Sequence, residues 1–159
     1  MGSSMPDDID SLDPWYVTGF CDGEAAFTYS RSSSSGVAVY FALRQRKDNQ
    51  GVVLSIKKFF KDVGNIYFGK EALPTKNSGH TKENVYFRTT RISDLKHIID
   101  HFDAYPLQSK KKEAYEAWKD LVLHKQKNYG NVNKEIIENL AGKLSALNQK
   151  SRAFKKHAK

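Results

Sequence analysis

The sequence predicts an α+β domain built on an antiparallel sheet, with the order α-ββ-α-ββ-α-α-α. Three observations carry this reading. Period-two alternation comes in two separate strand pairs, each pair is preceded by a stretch of helical spacing, and the second half of the chain is helical throughout. The length of 159 residues suits one domain with a proper core. Apolar residues make up 39% and aromatics 12%, which excludes a chain disordered throughout.

The elements follow in order. MGSSM resembles an expression leader, and residues 1–12 read as a flexible lead-in, with PDDIDSLD at 6–13 an acidic run. Asp13-Pro14 reads as an N-cap followed by proline at the first helical position, which opens a helix from Pro14 to about Gly23. AAFTYSRSSSSGVAVYFALRQRK alternates with period two around a Ser/Gly tip and predicts a β-hairpin. Val53, Ile56, Phe60 and Val63 form one helical stripe, with Gly64 as the stop. NIYFGK and NVYFRTT form the second strand pair, joined by a Pro/Gly/Lys-rich loop. Next comes a short helix burying Leu95, Ile98, Ile99 and Phe102, with Ser93 as its cap. A longer helix turns Ala114, Trp118, Leu121 and Val122 inward. A last one sets Ile136, Ile137, Leu140, Leu144 and Leu147 in register. The folded domain is read as residues 13–150 and the basic stretch 151–159 as a mobile tail.

The formal charge is +8, so a polyanion is the first partner to consider, and no apolar run approaches the length of a membrane span. A single cysteine, Cys21, excludes an internal disulfide framework and a cysteine-based zinc site. Inside the first helix its thiol reads as a small packing group. His97 and His101 have the i, i+4 spacing of paired metal ligands, but no third ligand accompanies them and they flank an apolar stripe.

Alternation also sorts the strand faces. Phe41, Leu43 and Gln45 point one way, and Tyr40, Ala42, Arg44 and Arg46 the other. Thr28, Ser30 and Ser32 share a face of the first strand, Asn65 and Tyr67 of the third, and Tyr86, Arg88 and Thr90 of the fourth. Such a face of guanidinium, hydroxyl and amide groups can reach base edges in a major groove, with Lys47, Lys70, Lys76 and Lys82 placed for phosphates. A solvated sheet face carries the same pattern, and alternation alone does not separate the two.

WYVTGFCDGEAAF crowds Gly19, Asp22, Gly23 and Glu24 into the end of a helix, where glycine costs stability. Gly19 and Gly23 lie on one helical face, which lets another backbone approach closely. A carboxylate at such a helix end suits a hard cation, although a glycine C-cap beside a surface acid looks the same.

Residues 17–25, VTGFCDGEA, resemble the signature of the LAGLIDADG homing endonucleases, whose members often read LTGF-x-DGEG. FALRQRKDNQGVVLSIKKFFKDVGNI and TTRISDLKHIIDHFDAYPLQSKKKEAYEAWK are similar to the same family in the same order, so the resemblance spans roughly residues 14–148. It implies the LAGLIDADG fold, with a curved β-saddle for DNA and helices on the other face. Glu24 matches the essential metal-binding acid, Gly23 the position whose carbonyl helps coordinate, and Asp22 the acid that caps and supports the partner helix. With Gly19 and Gly23, Asp22 is assigned to a dimer interface. Asp48 matches a position that orders water around the metal, and Lys110, with Lys111 next to it, the basic position near the phosphate.

The base-reading set carried over is Thr28, Ser30, Ser32, Tyr40, Ala42, Arg44, Arg46, Asn65, Tyr67, Tyr86, Arg88 and Thr90. The resemblance also implies Mg²⁺, with Mn²⁺ able to substitute and Ca²⁺ supporting binding without cleavage. It further implies a double-strand break with short 3′ overhangs and an organellar host compartment. One motif is present, which implies a homodimer on a near-palindromic double-stranded site. Ala25 stands where the family usually has glycine, and Leu140-Ala141-Gly142 lacks the following acid and is a decoy. A non-cleaving maturase acting on intron RNA and a sequence-specific DNA-binding protein are the alternatives on the same fold.

Overall fold

The structure is a computed structural model that describes residues 12–31, 36–76 and 79–156, with side chains described to residue 149. Asp13 accepts the Trp15 backbone N–H at 2.8 Å and opens α1 (Pro14–Glu24), with Pro14 in the first turn. The chain passes without a loop into β1 (Ala25–Arg31) and returns as β2 (Val37–Arg46). A 3₁₀ turn (Lys47–Asn49) leads to α2 (Gln50–Phe59), and β3 (Asn65–Gly69) and β4 (Asn84–Thr89) follow. The remainder is α3 (Ile92–Ala104), α4 (Lys111–Lys127) and α5 (Lys134–Lys156). Among the described residues, no helix is long and apolar enough to cross a membrane.

The four strands form one antiparallel sheet, as the sequence predicts, and the structure sets their order as β1-β2-β4-β3. Phe27 pairs with Phe41 and Leu43 with Phe87, so one face is a continuous aromatic and aliphatic surface under the helices. Phe27 lies 5.2–5.3 Å, centroid to centroid, from Phe41, Phe102, Tyr115 and Trp118, which joins β2, α3 and α4 to one ring. The Trp118 indole N–H donates to the Tyr40 carbonyl at 2.9 Å, and Tyr115 donates to Asp103 at 2.9 Å, so both buried polar tips are satisfied. Arg31 makes a bidentate pair with Glu138 at 2.8 and 2.9 Å, and Asn148 donates to the Phe27 carbonyl at 3.1 Å. Both contacts fasten α5 to β1.

Several sequence expectations are corrected. The stripe that predicts a helix to Val63 stops at Phe59, because Lys61 and Asp62 adopt φ of 60° and 59° and reverse the chain. Asp62 is held there by its N–H to the Lys57 carbonyl at 3.0 Å and by Lys57 Nζ on its own carbonyl at 2.9 Å. Gly64 then has φ +79°, and a Cβ on it would lie 2.6 Å from the Arg88 carbonyl, so the position admits only glycine. Ser93 is not the cap of α3: the helix begins at Ile92 after Arg91, with no side-chain cap. Ile136 is 43% exposed, since Ile137, Ala141 and Leu144 take the inward positions. Asn133 Oδ1 caps that helix through the Glu135 and Ile136 N–H groups, and the helix continues past residue 150 through the first six residues of the basic stretch.

His101 does not pair with His97. Its Nε2 lies 2.9 Å from Thr18 Oγ1, whose own proton goes to the Tyr105 carbonyl at 2.8 Å, so the ring donates to Thr18 and pins α1 to α3. Phe59, Phe60 and Phe102 close around it edge-on, and burial pushes its pKa down to about 4. The unfolded chain takes up a proton near pH 6.5 that the folded chain refuses. Stability from this site is therefore complete above pH 6.5 and is lost as pH falls toward 4. Urea unfolding at pH 7 and pH 5 should show the wild type losing about 2 kcal/mol more than His101→Gln over that interval. Equal losses would remove His101 as the cause.

Candidate functional site

Val17, Thr18 and Cys21 fasten the inner side of α1 to the core, and burial pushes the Cys21 thiol up to about 12, so it packs and does not react. Tyr16, Gly19, Phe20 and Gly23 recur at helical spacing along the outer side. Tyr16 and Phe20 stack at 6.2 Å, and an added Cβ on either glycine would meet nothing within 4 Å. Tyr16, Gly19 and Gly23 are exposed along this strip, while Phe20 is half-buried against the core.

The helix ends in two acids with opposite fates. Asp22 turns inward and accepts the backbone N–H groups of Gln108 and Ser109 at 2.9 and 3.0 Å, together with the Ser109 hydroxyl. Burial works to raise its pKa. The hydrogen bonds from Ser109 and Gln108 and the charge of Lys111 outweigh that and hold the carboxyl below its ordinary value. The acid assigned to the partner helix therefore clamps its own chain, at the loop entering α4. Glu24 points outward, is exposed, and accepts one hydrogen bond, from Gln45 Nε2 at 3.2 Å.

Of the two lysine candidates, Lys111 is the one that turns under the end of α1. Its Nζ donates to the Ala25 carbonyl at 2.6 Å and to the Cys21 carbonyl at 3.3 Å, beneath the end of α1. Burial lowers its pKa, while Cys21, Asp22 and Glu24 work to raise it. Lys110, which the sequence reading prefers, stands exposed one residue earlier, where the helix has not yet turned toward α1. Asp48 bonds Arg46 at 3.0 Å on the 3₁₀ turn. The group from this segment that does meet Glu24 is Gln45, braced by Asn49 at 2.8 Å. Sequence reasoning placed Gln45 on the core face. The signal available was a polar residue ending an otherwise apolar row.

The open face of the sheet carries the predicted polar set. Register sets Thr28 beside Tyr40, Arg44 between Tyr86 and the edge, Asn65 beside Arg88, and Tyr67 beside Tyr86. Ser30 lies 3.5 Å from Arg88 Nη2. Ala42 is 5% exposed, in the row opposite Arg88. Thr90 follows the end of β4 instead of standing in the strand, and Ser32 lies outside the described residues. Lys47 is paired with Glu83 at 3.5 Å, while Lys70, Lys76 and Lys82 stand exposed along the β3–β4 connection.

The donor set at the end of α1 is all hard oxygen: the Glu24 carboxylate and the last helical carbonyls, Gly23 among them. That fits a divalent cation such as Mg²⁺. Among the described residues, no group of three or more His, Cys, Asp or Glu side chains gathers around such a position. One chain therefore presents a single free carboxylate there.

The fold is a four-stranded antiparallel sheet whose open face carries arginines and phenols, with an exposed acid at its rim. The chain belongs to the LAGLIDADG endonuclease family, whose model matches residues 17–122. It is 32% identical over 130 residues to an uncharacterized 50.9 kDa protein in ND4 intron 1 of Podospora anserina, covering 76% of this chain. The chain spans 26% of that relative's length. The LAGLIDADG meganuclease I-AabMI, solved bound to uncleaved DNA, is 30% identical with a TM-score of 0.64, over 81% of this chain and 42% of that one. The homing endonuclease I-TnaI shares the fold at 22% identity and a TM-score of 0.68, over 88% of this chain and 98% of that one.

Asp22→Asn removes the charge from three hydrogen bonds at one junction and should lower unfolding stability by about 1–2 kcal/mol. Urea denaturation measures this. An unchanged midpoint would mean that the clamp adds nothing to stability.

Proposed function

We propose that this chain is a divalent-metal-dependent, sequence-specific DNA endonuclease that acts as a homodimer on a long, near-palindromic site and leaves short 3′ overhangs. The observation that carries the reading is the division of labour at the end of α1. Asp22 is saturated by Gln108 and Ser109, while Glu24 stays exposed with one amide donor. A binding protein has no use for a free carboxylate facing a phosphodiester, because the two repel.

Two copies of α1 meet along the strip of Tyr16, Gly19, Phe20 and Gly23 and bring the two Glu24 carboxylates together. Glu24 and the Gly23 carbonyl would hold Mg²⁺, which would lower the pKa of an attacking water and neutralise charge on the leaving oxygen. Gln45 fixes the Glu24 carboxylate from the sheet side, and Asn49 fixes Gln45. The Lys111 ammonium balances the carbonyls and acids crowded at the helix end and supplies positive charge near the scissile phosphate. Exposed lysines of the β3–β4 connection neutralise flanking phosphates. The intron-borne relative supports an organellar setting for this chain.

The test is a cleavage selection on randomised duplex DNA with Mg²⁺, sequencing the cut ends. Wild-type ends should centre on a near-palindrome. Glu24→Gln should abolish cutting while retaining binding, and Lys111→Met should slow cutting by about 10²-fold. Cutting by Glu24→Gln at the wild-type rate would refute the site. Enrichment of one sequence without cutting would make the chain a DNA-binding protein instead, and retention of structured intron RNA alone would make it a maturase.

A further inference from the structure

On the open face of the sheet two arginines are seated over rings. The Arg88 guanidinium lies 3.8 Å from the Tyr40 ring centroid, and that of Arg44 lies 4.8 Å from Tyr86. The two contacts have different geometry. Arg44 and Tyr86 are direct cross-strand partners, whereas Arg88 stands opposite Ala42 and leans diagonally across it to Tyr40. The small, buried Ala42 leaves room for that diagonal. Tyr86 is backed in turn by Tyr67 at 6.1 Å.

Hydrogen bonding does not explain the position of Arg88. Its Nε is buried without a hydrogen-bond partner, and its Nη2 reaches Ser30 only at 3.5 Å. An unpaired buried donor is costly, so contact with the ring face is what holds the side chain down. Arg46, on the same face, has no ring and is held by Asp48 in an exposed ion pair, which salt screens.

Contact through a ring face uses none of a guanidinium's N–H donors. A free arginine gives up many rotamers when its fork docks on the O6/N7 edge of guanine, and a ring beneath it removes part of that loss before binding. We propose that Tyr40 and Tyr86 are positioning residues for base readout: they hold Arg88 and Arg44 in place to read guanine at two distinct positions of each half-site. The proposal rests on the DNA-cleaving reading above and adds to it which side chains set specificity and what sets their aim.

The experiment is the same randomised-duplex selection, together with affinity for the wild-type site, on Arg88→Ala, Tyr40→Leu, Tyr40→Phe and the Arg88→Ala/Tyr40→Leu double variant. Arg88→Ala should erase the guanine preference at one symmetric pair of positions. Tyr40→Leu should flatten that same pair and weaken binding about 2- to 5-fold, while Tyr40→Phe, which keeps the ring and loses only the hydroxyl bonded to Tyr86, should keep the guanine preference at that pair. The double variant should match Arg88→Ala alone, because Tyr40 acts through Arg88.

Tyr86→Leu should do the same for Arg44 at a second pair. Thermal melts of the tyrosine variants separate lost folding from lost aim. A profile untouched by Tyr40→Leu, a change at some other position, or a double variant weaker than Arg88→Ala would overturn the positioning role. A wild type that enriches no duplex at all would overturn the DNA reading beneath it.

Discussion

The Phe27–Phe41 pair determines what every other strand residue can do. The two rings face each other across β1 and β2, both fully buried, and between them touch Phe60, Phe87, Phe102, Tyr115 and Trp118. Because side chains alternate with a period of two, slipping β1 by one residue against β2 would drive Phe27 into solvent and bury Thr28. The aromatic core thus enforces parity as well as stability. Once Phe41 is down, Tyr40, Arg44 and Arg46 are up, and the open face is a by-product of the packed one.

The second constraint is the junction at the end of α1, where electrostatics decides. A helix C-terminus carries partial negative charge, and here two acids sit on top of it. Lys111 answers from the next layer, half-buried, with two backbone carbonyls as acceptors. Asp22 fixes the loop from which Lys111 springs, so acid and lysine locate one another through Ser109 and Gln108. Glu24 is the other acid of this arrangement, exposed at the helix end with Gln45 as its hydrogen-bond donor.

The two hairpin pairs, the helix order and most inward positions were legible in the sequence because they depend on periodicity, which is local, whereas the β2–β4 pairing that joins the hairpins was not. The misses were tertiary. Val63 fits the stripe of α2, but the left-handed pair Lys61–Asp62 ends the helix first, and neither residue type announces that conformation. Ile136 and Ile137 are equal by composition, and contact with α4 chooses the second. Lys110 and Lys111 differ by 100° around a helix, and only the place where α4 meets α1 decides between them. Gln45 obeys alternation, which assigns it to the core face. It does face that side, at the rim, where the row runs out of helix cover and meets Glu24. Motif resemblance located the acid, and the three-dimensional arrangement supplied its neighbours.

The two tryptophans lie in contrasting places. Trp15, on α1, is half-exposed and touches Tyr105 edge-on at 5.1 Å. Trp118 is sealed in the core, hydrogen-bonded to the backbone of Tyr40 directly behind the sheet face. An aqueous quencher reaches the first indole and not the second. Covering the outer side of α1 alters one emission, and flexing the sheet at Tyr40 alters the other. The molecule thus carries two separate optical reporters, one for what happens along its first helix and one for what happens on its sheet, with no label added.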